Sequence, residues 1–244
     1  MYRSIKSTPV GEFSRFADDY SSYNIIQRKV AVKLVSFLGE KHYESIVDIG
    51  CGSGQIYYQL LEQDIGVDRY CAMDASTQML QLHPSESFIN KQYLDFNDKQ
   101  SLHNTLENSY SLLLSSSALQ WSKDLDMTLS YTSKIASEQY LAIFTSNTFK
   151  TLHACVGIKS PIVTSEEIYS SIERYFIADF EMVKYSLEFE TNRDMSRYIK
   201  KSGVSGGDRK LSYTQTRKII EEYPLDYLEF EVMFVKAKSR AFTN

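Results

Sequence analysis

The 244-residue chain predicts an α/β fold, a doubly wound and mostly parallel seven-stranded sheet. Three observations carry that expectation. Seven strand-like runs are spread along the chain and most alternate with helical ones; the first strand runs straight into the glycine turn Gly50-Cys51-Gly52-Ser53-Gly54; and the next strand ends on an acid, Asp74. Strands alternating with helices of ten or so residues make parallel crossovers, which bury both faces of a sheet.

The elements follow in order. Residues 12–38 read as helix in two pieces, the second placing Ile26, Val30, Leu34 and Leu38 on one face. Ile46, Val47 and Ile49 form a β-branched strand, and Ile56, Tyr57, Leu60 and Leu61 resume helical spacing after the glycines. Residues 70–73, 87–93, 110–115 and 139–144 read as strands, with helices expected over 76–81, 99–106 and 125–135. Residues 150–161 read as a loop with room for a short helix, and 165–175 as a helix opened by Thr164 or Ser165 with Glu167 as capping partner. A long strand over 177–190 and a last one over 227–236 enclose two polar helices, 192–201 and 214–222, around the turn Ser202-Gly203-Val204-Ser205-Gly206-Gly207. The whole, 1–244, reads as a single domain, with residues 12–38 and the insertion 191–223 as helical lids.

Composition narrows the function. The formal net charge is −4 and the charges are dispersed, so a nucleic-acid partner is not expected. Three cysteines without CxxC spacing argue against a disulfide scaffold or a cysteine zinc site, and His42, His83, His103 and His153 form no ligand motif; no metal is expected. The absence of a long apolar run predicts a soluble cytoplasmic protein with no membrane contact, and a monomer.

The glycine turn is a ligand-binding architecture, because glycines accept positive φ and let a ligand approach the backbone. Its spacing departs from the dinucleotide pattern GxGxxG, whose third glycine position holds Gln55. Gly50, Cys51, Gly52 and Gly54 are the expected cradle, and Asp48 is placed to neutralise a cationic ligand or to brace the loop. Asp74 stands where an acid accepts hydrogen bonds from a ribose diol, with capping of the next helix as its alternative. Asp95 can receive an adenine amino group while Leu94 and Phe96 pack the ring, with Asp98 as cap of the following helix the alternative reading.

The run Asp48-Ile49-Gly50-Cys51-Gly52-Ser53-Gly54, with Met73-Asp74-Ala75-Ser76 and Met79-Leu80 behind it, resembles the class I methyltransferases that use S-adenosyl-L-methionine. A narrower resemblance joins Phe13-Ser14-Arg15-Phe16-Ala17-Asp18-Asp19-Tyr20, Gln27, Leu119-Gln120-Trp121 and Tyr223-Pro224-Leu225-Asp226-Tyr227; this set is similar to the malonyl-acyl-carrier-protein O-methyltransferases of biotin synthesis. It implies methyl transfer to the free malonyl carboxylate of an acyl-carrier-protein thioester, and an antiparallel final edge strand. Tyr20 would orient donor or acceptor, Gln120 and Trp121 would frame the acceptor, and Arg197, Lys200 or Lys201 would meet the substrate carboxylate or the carrier's phosphate. Tyr20 and Trp121 have packing roles as alternatives. Two segments depart from the family pattern: residues 147–157 lack its glycine-proline loop, and Leu228-Glu229-Phe230-Glu231 is unusually acidic. A different small-molecule acceptor, or a noncatalytic nucleotide-binding protein, are the competing functions.

Overall fold

A computed structural model of the chain describes residues 24–105, 109–201 and 211–242. It contains seven strands: β1 (His42–Ile49), β2 (Gly66–Asp74), β3 (Ile89–Tyr93), β4 (Tyr110–Ser116), β5 (Ala136–Phe144), β6 (Phe176–Glu188) and β7 (Tyr227–Ser239). They form one sheet in the order β3-β2-β1-β4-β5-β7-β6. β1 to β5 pair in parallel, whereas β7 is antiparallel to both of its neighbours. The reversed final strand therefore lies inside the sheet, and β6 occupies the edge.

The helices between them are α1 (Ile25–Val35), α2 (Gln55–Glu62), α3 (Thr77–Leu82), α4 (Lys99–Thr105), α5 (Leu125–Thr132), α6 (Lys150–Val156), α7 (Ser165–Tyr175), α8 (Asn192–Lys201) and α9 (Tyr213–Glu222). The strands divide two cores by simple alternation. Ile46, Leu112, Leu114, Ala142, Phe144, Phe230, Val232 and Phe234 point to one face with α1, α2, α6, α8 and α9. Val47, Leu113, Leu141, Ile143, Met233 and Val235 point to the other, against α4, α5 and α7. Each fully buried Leu, Ile, Val or Phe contributes about 1.5–3 kcal/mol by leaving water, so both faces are strongly covered.

Local chemistry sets the helix starts. Thr164 and Glu167 form the expected capping box of α7, and Ser212 with Gln215 does the same for α9. On α1, Ile26, Val30 and Leu34 are fully buried, as their spacing requires. The short helix allowed for in residues 150–161 is α6, and it ends at Gly157 with φ 69°, a left-handed cap. The first piece of the amino-terminal helical segment, with Tyr20, and the turn 202–207 lie outside the described residues. Among the described residues no helix is long and apolar enough to cross a membrane.

The chain order reverses between β1 and β4: β2 and β3 extend the sheet on one side, β5 and β7 on the other. Ser45 and Ser111 lock these two strands by reciprocal bonds, each backbone N–H donating to the other's hydroxyl at 2.9 and 3.0 Å. Backbone pairing between them stops at Asp48 and Leu114, beyond which Ser115 Oγ donates to the Ile49 carbonyl at 2.7 Å. A crevice opens at the carboxyl end of such a switch point.

Candidate active site

That crevice has a volume of about 850 Å³. Its lining joins the glycine turn with Asp48, Asp74, Ala75, Ser76 and Met79 on the β2 side, and Tyr93, Asp95, Phe96 and Asn97 after β3. Ser116, Ser117, Ala118, Gln120 and Trp121 follow β4, while Gln27 of α1 and the segment Lys159-Ser160-Pro161 complete it.

The glycines are there for steric reasons. Gly50, Gly52 and Gly54 have φ of 73°, 54° and 94°, in the left-handed region. A Cβ on Gly50 would lie 2.2 Å from Ala118 Cβ, so the turn sits directly against the loop after β4. At Gly52 an added Cβ would meet nothing within 4 Å, which leaves its backbone facing open crevice.

Asp74 braces this turn. Its Oδ2 accepts from the Gly52 amide at 2.9 Å and its Oδ1 from the Ser76 amide at 2.7 Å. Burial raises its pKa, while hydrogen bonds from the Ser76, Gly52 and Ala75 amides oppose the rise. The helix cap of α3 is Ser76, whose hydroxyl accepts from the Met79 amide, so Asp74 is not the capping residue. Asp95 Oδ1 accepts from the Asn97 amide at 2.8 Å, and Asp98 accepts from the Ser101 amide in the first turn of α4.

Asp48 is completely buried, and its Oδ2 accepts from Tyr70 Oη at 2.8 Å. Desolvation pushes its pKa up to about 7 against the stabilising Tyr70 bond, with the charge of Asp74 adding to the rise. Its Oδ1 has no partner among the described residues, and the same holds for Gln27 Oε1 and Gln120 Oε1. Three buried acceptors on crevice-lining residues therefore lack a partner among the described residues, an arrangement costly unless a hydrogen-bond donor reaches them.

The residues expected from the sequence are brought together unevenly. Asp48, Gly50, Cys51, Gly52, Asp74, Asp95, Phe96, Gln120 and Trp121 all line the crevice, and Gly54 sets the start of α2 behind it. Leu94 does not: just past the end of β3 it is buried in the second core, 2% exposed, between the lining residues Tyr93 and Asp95. Arg197 is not part of the lining either, and its Nη1 is held by Asp194 Oδ1 at 2.6 Å. Lys200 and Lys201 belong to α8, but their side chains lie outside what is described. Lys159, Ser160, Asn97 and Tyr93 line the crevice without having been singled out from the sequence. Among the described residues no cluster of three or more His, Cys, Asp or Glu is arranged to hold a metal.

Residues 47–138 match the family model described as a methyltransferase domain, which spans β1 to the start of β5. The chain is 24% identical over 230 residues to the malonyl-[acyl-carrier protein] O-methyltransferase of Haemophilus influenzae, covering 88% of this chain and 83% of that one. It is 28% identical over 213 residues to the enzyme of the same name from Chlorobium luteolum, covering 81% and 79%. Among solved structures it is similar to an S-adenosylmethionine-dependent methyltransferase from Mesorhizobium loti, with a TM-score of 0.50, 15% identity, and 84% and 96% of the two chains covered.

S-Adenosyl-L-methionine fits the residues present. Each carboxylate oxygen of Asp74 has a second acceptor site for a ribose diol, and Asp95 keeps Oδ2 for an adenine amino group beside Phe96. The unfilled acceptors Asp48 Oδ1, Gln27 Oε1 and Gln120 Oε1 match a donor that carries an ammonium and a sulfonium group. Fold, crevice and domain match together make this chain a methyltransferase of the class I fold, with S-adenosyl-L-methionine as its methyl donor.

Proposed function

We propose that the chain methylates a carboxylate, and that its acceptor is the free carboxyl group of a malonyl thioester carried on acyl-carrier protein. The observation that carries this reading is the division of charge along the crevice. The carboxylates among its described lining residues, Asp48, Asp74 and Asp95, belong to the β1–β3 side. The β4–β5 side supplies Ser116, Ser117, Gln120, Trp121, Lys159 and Ser160, with no carboxylate or imidazole among its described lining residues.

That distribution suits one kind of nucleophile. A phenol or an amine must lose a proton before or during methyl transfer, so its enzyme profits from a positioned base. A carboxylate is already ionised at neutral pH. The donor supplies a methyl group on a sulfonium that leaves as a neutral thioether; this chain has only to hold the acceptor oxygen in line and keep water out. Gln120, fixed by its own Nε2 bond to the Ser117 carbonyl at 2.6 Å, and the indole of Trp121 are suited to that positioning work. The malonyl-[acyl-carrier protein] O-methyltransferases to which the chain is similar support the specific acceptor. Tyr20 then has the closing role, and the basic residues Arg197, Lys200 and Lys201 an outer one, facing an acidic carrier.

Initial rates on a panel of acceptors test the proposal. Malonyl-acyl-carrier protein is expected to react faster than malonyl-pantetheine, and both faster than free dicarboxylic acids, phenols or amines. Turnover confined to phenols or amines would remove it.

A further inference from the structure

We infer that Lys159 is the specificity-determining residue of the acceptor end, where it selects an anionic group; this rests on the carboxylate reading above. Among the described residues two lysines, Lys123 and Lys159, line the crevice. The Lys123 amide donates to Asn97 Oδ1 at 2.7 Å, and Asn97 Nδ2 donates to the Trp121 carbonyl at 3.4 Å. Lys123 is thereby tied to the loop after β3, beside Asp95. Lys159 comes from the segment between α6 and α7, which returns to the end of β5 through a bond from the Ser146 amide to the Val163 carbonyl at 2.8 Å. β3 and β5 lie on opposite sides of the β1–β4 switch point, and Lys159 belongs to the half in which no carboxylate is found among the described lining residues. It forms no ion pair among the described residues, and Arg197 is engaged by Asp194.

The two departures from the family pattern meet in the turn that leads from β5 into α6, ahead of this segment. Buried Glu231 accepts from Thr145 Oγ1 at 2.7 Å and from Asn147 Nδ2 at 2.8 Å. Two residues earlier on β7, the Glu229 carbonyl accepts from the Phe149 amide at 2.8 Å, and its carboxylate from the Thr151 amide at 2.9 Å. The acidic strand thus fixes the turn from β5 into α6 without a glycine-proline loop. From the end of α6, Gly157 reverses the chain and Lys159 follows two residues later. Its segment is tied to the end of β5 at Val163, and a cation on a tethered segment discriminates charge at a lower ordering cost.

The test is a titration of the full chain loaded with S-adenosylhomocysteine, using malonyl-pantetheine and its neutral malonamide counterpart. The parent is expected to prefer the acid by about tenfold or more, the scale of one charge-assisted hydrogen bond. Lys159→Met is expected to bring the two probes to within roughly twofold, while Lys159→Arg keeps most of the preference, because a guanidinium retains the charge. Affinity for S-adenosylhomocysteine should stay the same in both variants, which also reports that they fold. A Met variant that still prefers the acid as the parent does would overturn the role of Lys159 alone. A parent that binds neither probe, or both equally, would overturn the carboxylate reading and this inference with it.

Discussion

Replacing Asp48 by Asn should make the unliganded protein more stable at pH 8 while weakening its hold on S-adenosyl-L-methionine. The carboxylate is completely buried and has one protein partner, the Tyr70 hydroxyl. Burial raises its pKa from 3.8 to about 7. An acid whose folded pKa is raised binds more protons folded than unfolded between those values, so stability falls as pH climbs through that window and levels off above it. At about 1.4 kcal/mol per unit, the penalty above pH 7 is on the order of 4 kcal/mol as an upper figure. Asn keeps an acceptor for Tyr70 and removes the charge, so its melting temperature should exceed the parent's by several degrees at pH 8 and converge with it near pH 4. Donor binding should move the other way: parent affinity should rise with pH up to about 7 as Asp48 ionises, and the Asn variant should be weaker and flat. Thermal melts and donor titrations across pH 5–9 check both halves. An Asn variant that is less stable, or that keeps the parent's pH dependence, would contradict the assignment.

Asp74→Ala should cost donor affinity through two linked losses. The side chain holds the Gly52 and Ser76 amides and has acceptor capacity left for a ribose diol. Loss of a charge-assisted hydrogen bond to the ligand is worth about 1–3 kcal/mol, or roughly fivefold to a hundredfold in Kd. A purely structural role would predict weaker binding too, so the decisive comparison uses a 2′-deoxyribose analogue of S-adenosylhomocysteine. The parent should bind the analogue more weakly than S-adenosylhomocysteine itself, and the Ala variant should bind the two nearly alike. If removing the hydroxyl costs both proteins the same, Asp74 supports the loop and does not touch the ribose.

The sheet was legible because its signals are local. The alternation that buries Ile46 on one face and Val47 on the other needs only period-2 placement of β-branched residues, and the glycine turn announces the crevice at its edge. β5 begins at Ala136, earlier than its apolar core suggests, because Glu138 and Gln139 pair with β4 and β7 although they are polar. The position of β7 inside the sheet is a long-range choice of partners that no local pattern encodes.

The crevice lining on the β1–β3 side was legible for the same reason: its residues follow consecutive strands. Leu94 shows the limit: it and Phe96 lie just past the end of β3, and there Leu94 is buried in the second core while Phe96 lines the crevice. Lys159 was hidden for a different reason. It belongs to an aperiodic segment, and what brings it to the crevice is tertiary: the Ser146–Val163 bond and the two acids of β7. The acidic run Leu228-Glu229-Phe230-Glu231 was visible as an oddity, but its partners at Thr145, Asn147 and Thr151 lie some eighty residues away.

The most direct test of a carboxylate-directed crevice is the chemical identity of the bond that the transferred methyl group ends in. The chain is incubated with S-adenosyl-L-methionine labelled in its methyl group and malonyl-acyl-carrier protein, and the labelled product is treated with mild alkali and analysed by mass spectrometry. The label should sit on the malonyl group as an ester, be released as methanol by alkali, and appear in step with S-adenosylhomocysteine. Label that resists alkali, on nitrogen, carbon or a phenolic oxygen, would contradict the account.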